Sequence, residues 1–280
     1  MTTTLRPAQP LQQHSDGTRS RTYAVRVNSR HVGSLELATR SAAQPQVGVI
    51  RGLWIDEPDR GRGRGTVAAL AAEEVLRSWR CTSIAVSVPA DAPRALRLAT
   101  ALGYRETGRV MAKDLPAEPP ALPADSTGRP MTEAEFDAWL EPGIVEYAGR
   151  LTAPGMTAEQ GLAASRAEHA RLLPAGRDTP GATFLVLEGP GGGGLGALWV
   201  GERDLPGLGP VPYVYDVEVA AEHRGRGHGR TLMLLAEHTA LAAGSRTLGL
   251  HVVEGNVPAR RLYASLGYRD IAVNAVKALV

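Results

Sequence analysis

Two stretches of this 280-residue chain set glycines between long basic side chains, just where an apolar strand pattern gives way to a helical one. They are RGRGRG from Arg60 and RGRGHG from Arg224. A tight strand-to-helix turn gathers several backbone N–H groups beside the positive end of the helix, a setting that suits an anion and above all a phosphate. Glycine is needed there where φ turns positive or where a Cβ would strike the ligand. Arg224, Arg226 and Arg230 add charge to the rim of the second turn. Neither stretch is a familiar nucleotide loop. A Walker loop needs Lys followed by Ser or Thr, and the dinucleotide fingerprint needs GxGxxG where these read GxGxG.

Asp216 and Glu218 are the nearest carboxylates on the strand entering the second turn, and strand alternation puts both on one face. Either is a candidate general base. The histidines His223, His228, His238 and His251 make no recognised metal-ligand spacing, and Cys81, the single cysteine, has no evident histidine partner. No metal and no thiol chemistry is expected. A formal charge of +2 and 5% aromatic residues argue against a nucleic-acid module. The polar opening MTTTLRPAQPLQQHSDGTRS has no apolar core of signal-peptide length and no later run approaches a membrane span, so a cytoplasmic protein is expected.

The elements that must position these groups come in two copies. A constant offset of 164 residues carries Arg60 onto Arg224 and Gly103 onto Gly267 without a gap, with ALRLATALGYRE lying over ARRLYASLGYRD. In the first copy TYAVRV, HVGSLELA and VGVIRGLWI read as antiparallel strands, GTVAALAAEEVLRSW as a helix, TSIAVSV as a strand and PRALRLATAL as a helix. A terminal strand follows in GYRETGRVMAKDL, and TLRP near the start is a candidate edge strand. The second copy repeats this order and adds two helices over about 132–152 and 157–173, each opened by Thr with Glu or Gln three residues later. The first copy has no room for that pair. The expected architecture is α/β, a mixed and largely antiparallel sheet flanked by helices, in tandem: a shortened domain over 1–115, a proline-rich linker over 116–130 and a complete domain over 131–280.

The segment VEVAAEHRGRGHGRTLMLLAEHTA, followed by LGLHVVEGNVPARRLYASLGYRD, resembles the acyl-CoA-binding core of the GNAT superfamily of N-acyltransferases. Arg224, Gly227 and Gly229 fill that family's turn pattern; Asn256, Ala259, Tyr263, Gly267 and Tyr268 fill its later one. The resemblance implies acetyl-CoA as acyl donor, with its pyrophosphate on the turn formed by Gly225, Arg226, Gly227, His228, Gly229 and Arg230. It implies a pantetheine arm between diverging strands, a backbone N–H near Val219 as oxyanion donor, and Tyr263 as general acid. The acceptor it implies is a primary amine, on a small molecule or at a peptide α-amine, attacking directly in a ternary complex. In the first copy Arg60, Gly61, Gly63, Arg64, Gly65 and Thr66 form a second candidate cofactor site. There, however, Ala99 stands for Tyr263, Ala92 for Asn256, and Gly52 and Trp54 for the two carboxylates. Catalysis is therefore expected in the second copy alone, with a non-enzymatic acyl-CoA-binding protein as the alternative.

Overall fold

The computed structural model describes residues 2–40, 46–123, 126–151 and 156–279. The first copy opens with β1 (Thr3–Pro7) and the two-residue β2 (Gln12–Gln13), then β3 (Arg19–Val27), β4 (Arg30–Thr39) and β5 (Gln46–Ile55). Asn28 and Ser29 take φ values of 48° and 68°, the paired positive angles that let a two-residue hairpin follow the strand twist. Next come α1 (Arg64–Ser78), β6 (Cys81–Pro89), α2 (Pro93–Ala101) and β7 (Arg105–Asp114). The second copy adds β8 (Thr127–Pro130) and the helices α3 (Glu133–Arg150) and α4 (Ala158–Leu172). It continues with β9 (Thr183–Glu188), β10 (Gly194–Leu205), β11 (Gly209–Val219), α5 (His228–Ala242), β12 (Thr247–Val253), α6 (Val257–Ser265) and β13 (Arg269–Ala278).

Both helix openings read from Thr-x-x-Glu/Gln are present. Glu135 N–H donates to Thr132 Oγ1 at 3.3 Å while Thr132 N–H donates to Glu135 Oε2 at 2.8 Å. Thr157 and Gln160 repeat the exchange at 3.2 and 2.9 Å. The segment GERDLPGLGPVPY is the extended end of the β10–β11 hairpin, paired out to Leu205↔Gly209. The terminal strand of the second copy is β13. The expected end of the first added helix at 152 and linker residues 124–125 lie outside the described residues.

The chain folds into two compact units. The first holds Met1–Thr107, Ala148–Ala164 and Ala272–Val280; the second holds Gly108–Tyr147 and Ser165–Ile271. In the first unit the strand order is β1-β3-β4-β5-β6 followed by the Ala272–Ala278 part of β13, with β2 on β3. In the second it is β8-β9-β10-β11-β12 followed by the Gly108–Asp114 part of β7. Among the described residues each sheet is antiparallel except for one parallel pair, β5 with β6 and β11 with β12. The proline-rich segment separates the sequence copies, but the compact units exchange their closing strands. β13 runs antiparallel to β6 from Ala272↔Pro89 to Ala278↔Ser83. β7 runs antiparallel to β12 from Gly108↔Val253 to Asp114↔Thr247.

Burial follows the two periods of the sequence. In the first unit Ala68, Ala72 and Leu76 recur at helical spacing on α1 and pack on Val25, Leu35, Leu37 and Ile84 from the sheet. Gly48 lets that helix approach, since a Cβ there would lie 2.7 Å from Leu76 Cδ1. In the second unit Leu232, Met233, Ala236 and Ala240 of α5 cover Leu198, Val214, Leu248 and Leu250. A separate aromatic cluster, with Phe136, Phe184 and Trp199 at its centre, joins α3 to the sheet. It holds α3 beside β11, the strand with the two candidate carboxylates.

Candidate active site

The second unit's sheet is interrupted where the site must open. β10 pairs with β11 through Trp199↔Asp216 and then Val200↔Val214, so Tyr215 is an extra residue in a β-bulge. Among the described residues the parallel register of β11 with β12 runs through Val214↔Leu250 and ends there. Ala220 N–H donates to Leu195 O at 3.0 Å. Because successive amides of an extended chain point to opposite edges, the N–H groups of Val219 and Val217 face the edge where β12 has diverged. That is the position required of a donor to a developing oxyanion. The first unit repeats the device at the same offset. Arg51 is its bulge residue, between Glu36↔Gly52 and Leu37↔Ile50, and its parallel register ends at Ile50↔Val86.

The glycine turns have matching geometry. Gly225 and Gly227 take φ of 76° and 90°, and Gly61 and Gly63 take 73° and 72°. A Cβ at any of the four would meet nothing within 4 Å, so backbone angle and not crowding demands glycine here. Gly229 is different: a Cβ there would lie 3.3 Å from Leu262 Cδ2, and Gly65 faces Leu98 in the same way at 3.6 Å. On α5 the first helical bond runs from Arg230 N–H to Gly227 O at 2.9 Å, leaving the amides before it at the open helix end. Open space beside positive-φ glycines, free helix-end amides and a diverging strand pair together suit the phosphates and extended arm of an acyl-CoA.

The arginines divide between scaffold and rim. Arg224 Nε donates to Val219 O at 3.1 Å and Arg60 Nε to Ile55 O at 2.7 Å, so each folds back to cap the end of its strand. Arg230 Nη2 donates to Ser265 Oγ at 2.5 Å, tying α5 to α6, while Arg226 is exposed. His228 opens α5 with its ring 6.2 Å from that of His223. Its counterpart Arg64 is buried and pairs with Asp59, which Arg30 also grips at 2.7 and 2.9 Å. Thr66 is half-buried on the first turn of α1.

Asn256 caps α6, its Oδ1 accepting from Ala259 N–H at 3.2 Å, and half-buried Ala259 packs against the unit's core. α6 buries Tyr263, whose phenol is pushed up to about 12, first by burial and then by the charge of Asp216. The phenol is therefore a neutral proton donor at physiological pH, with Asp216 in electrostatic reach. Glu218, two residues on, is exposed. Among the sequence candidates Asp216 is the carboxylate whose charge reaches the buried Tyr263 phenol.

One residue the motifs did not mark is Trp139 on α3, whose Nε1–H donates to Asp216 Oδ2 at 3.1 Å. Its ring meets that of Trp199 at 5.8 Å, and Trp199 stacks on Tyr215 at 4.5 Å. The only sequence signal was a tryptophan on a helix that the first copy lacks. Cys81 is buried and its thiol is pushed up to about 11 by burial, in keeping with a structural role. Among the described residues no group of histidines, cysteines and carboxylates is arranged to hold a metal ion, and no helix is long and apolar enough to cross a membrane.

A bulged strand, a diverging parallel pair and a glycine turn at a helix N-terminus define an acyl-CoA-type transferase fold, present twice. The chain belongs to the Acetyltransferase (GNAT) family, which it matches over residues 3–104 and 162–268. It is 30% identical over 240 residues to a mycothiol acetyltransferase of Beutenbergia cavernae, covering 80% of this chain and 74% of that protein. Among solved structures it resembles a GCN5-related N-acetyltransferase from Sphaerobacter thermophilus, with a TM-score of 0.58 and 24% identity. That likeness covers 92% of this chain and 80% of the other. A tandem GNAT protein from the clavulanic acid biosynthesis pathway aligns at a TM-score of 0.53 and 21% identity, over 94% and 84% of the two chains. The tandem arrangement read from the 164-residue offset is thus shared with a solved protein.

Proposed function

We propose that the chain is an N-acetyltransferase that moves an acetyl group from acetyl-CoA to a primary amine, with the chemistry in the second unit. The observation that carries this reading is that the second unit joins its glycine turn to a carboxylate, Asp216, held by the Trp139 indole at 3.1 Å, and to the buried phenol of Tyr263. Ala99 and Gly52 occupy the corresponding places in the first. Acetyl-CoA supplies the activated thioester, and Gly225 to Arg230 hold its phosphates at the N-terminus of α5. Asp216, steadied by Trp139, takes the proton from the attacking amine, directly or through water. The amine nitrogen forms its bond to the carbonyl carbon while the Val219 N–H stabilises the oxyanion; the C–S bond then breaks. Tyr263, a phenol that burial keeps protonated, delivers a proton to the departing sulfur. Both substrates are present together, and no acyl-enzyme is formed.

Small-molecule amines and peptide α-amines are the acceptors to screen. CoA release from acetyl-CoA, followed across an amine library, identifies the acceptor. Two-substrate initial rates should then give intersecting lines. Tyr263→Phe should lower turnover about 10–1,000-fold with little change in acetyl-CoA affinity, since it removes the donor and keeps the ring. Parallel lines would refute direct transfer. A silent Tyr263→Phe would refute the assignment of the acid.

A further inference from the structure

The sheet of the second unit is closed by a strand of the first sequence copy, and that strand brings a charge. Lys113 on β7 donates through Nζ to Glu237 Oε1 at 2.6 Å. Glu237 lies on α5, fully buried, and Lys113 is only 17% exposed. The lysine also lies 5.7 Å from the ring centre of Tyr268, a phenol raised far above its ordinary value first by burial and then by Glu237. α5 is the helix whose N-terminus forms the glycine turn. Glu237 lies about 14 Å along it from His228, at 1.5 Å per residue. A carboxylate buried this deeply needs its cation, because its desolvation is otherwise uncompensated.

The first unit holds the same cluster with the copies interchanged. Lys277 of β13, the 164-residue counterpart of Lys113, donates to both oxygens of Glu73 at 2.8 Å. Glu73 is buried on α1, and Lys277 lies 5.7 Å from the ring of Tyr104. Each glycine-turn helix is therefore anchored by a lysine from the opposite copy.

We infer that Lys113 is a positioning residue for the coenzyme turn of the second unit, acting through Glu237 on α5. The shortened first copy thereby supplies the candidate catalytic unit with its closing strand and the cation that seats its phosphate-binding helix. This rests on the reading that the second unit carries the chemistry. It also gives the first copy a task that needs neither Tyr263 nor the carboxylates it lacks.

The matched cluster provides an internal control. In the full chain, Lys113→Met should speed amide hydrogen exchange at residues 230–233, and Lys277→Met should do the same at 67–69. Calorimetry with CoA should show Lys113→Met weakening binding about 10-fold, a difference of 1.4 kcal/mol. Lys277→Met should lower Tm comparably without weakening CoA at the site that supports turnover. The double variant Lys113→Met/Glu237→Gln, which removes both buried charges, should recover affinity to within about 3-fold of the parent. If Lys113→Met is too unstable to purify, Glu237→Gln alone carries the exchange and binding tests, because it weakens the same pair while keeping a close isostere.

Unchanged exchange at 230–233 and unchanged CoA affinity would overturn the positioning role and leave the assignment of chemistry to the second unit standing. If Lys277→Met weakens the CoA that supports turnover and Lys113→Met does not, the chemistry belongs to the other unit and both readings fall.

Discussion

Gly227 and Gly63 offer a measurement in which backbone strain and ligand contact separate. Both glycines cap the N-terminus of their helix in the left-handed region, at φ 90° and 72°, and a Cβ at either would face open space beyond its chain neighbours. An alanine at either place therefore meets no clash, and its cost is the left-handed penalty of about 1–2 kcal/mol. For units of this size that corresponds to a fall in Tm of about 2–8 °C, similar for the two variants. CoA affinity should behave differently. If Gly227→Ala also disturbs helix-end amides that hold the pyrophosphate, binding should weaken by a further 1–3 kcal/mol, or about 5–150-fold. Gly63→Ala should leave turnover within about 2-fold of the parent, as its strain is local to the first unit. The assay is calorimetry with CoA beside thermal unfolding of both variants. Equal Tm losses with equal, small effects on the affinity that supports turnover would refute the coenzyme role of the second turn, because strain alone would then account for everything seen.

Four further variants test the site and its frame. Asp216→Asn should abolish the limb of the rate profile that rises with pH, and Trp139→Phe should lower kcat about 10-fold by freeing that carboxylate from its indole donor. Glu218→Gln should leave the limb in place, and a lost limb in this variant instead would move the base to Glu218. Glu135 is lowered from its ordinary 4.5 to about 2, mainly by its hydrogen bonds with Arg129 and then by the Thr132 amide. Its contribution to stability is therefore present above about pH 4.5 and is lost as pH falls towards 2. Thermal unfolding between those pH values should fall less steeply in Glu135→Gln, and an unchanged slope would show that this capping cluster contributes nothing measurable.

The parts of this fold that the sequence announced are those whose cause is local. Alternating β-branched residues marked β3 to β5 and β9 to β11, Thr-x-x-Glu/Gln marked the starts of α3 and α4, and glycines marked turns whose φ is positive. Asp216 and Glu218 shared a strand face by simple alternation, but their difference did not show. It depends on α3, whose Trp139 reaches Asp216 from 77 residues away, while Glu218 stays exposed.

The exchange of closing strands was illegible for a stronger reason. β7 and β13 are equivalent segments of a duplicated sequence, with Lys113 and Lys277 at the same place in each. Glu73 and Glu237, the buried carboxylates they must meet, are likewise equivalent. An unexchanged chain, with β7 on β6 and β13 on β12, would offer the same alternation and the same lysine–glutamate pairs. Hydrophobic pattern and charge complementarity are therefore silent about which copy closes which sheet, and the choice must come from chain connectivity and from the residues by which the copies differ. An unexchanged pair of domains could lose its first copy and keep a complete second one. The exchanged pair cannot, since removing the first copy strips β12 of seven paired residues and leaves Glu237 buried without its cation. This accounts physically for a chain that keeps a shortened copy lacking the counterparts of Tyr263, Asp216 and Glu218.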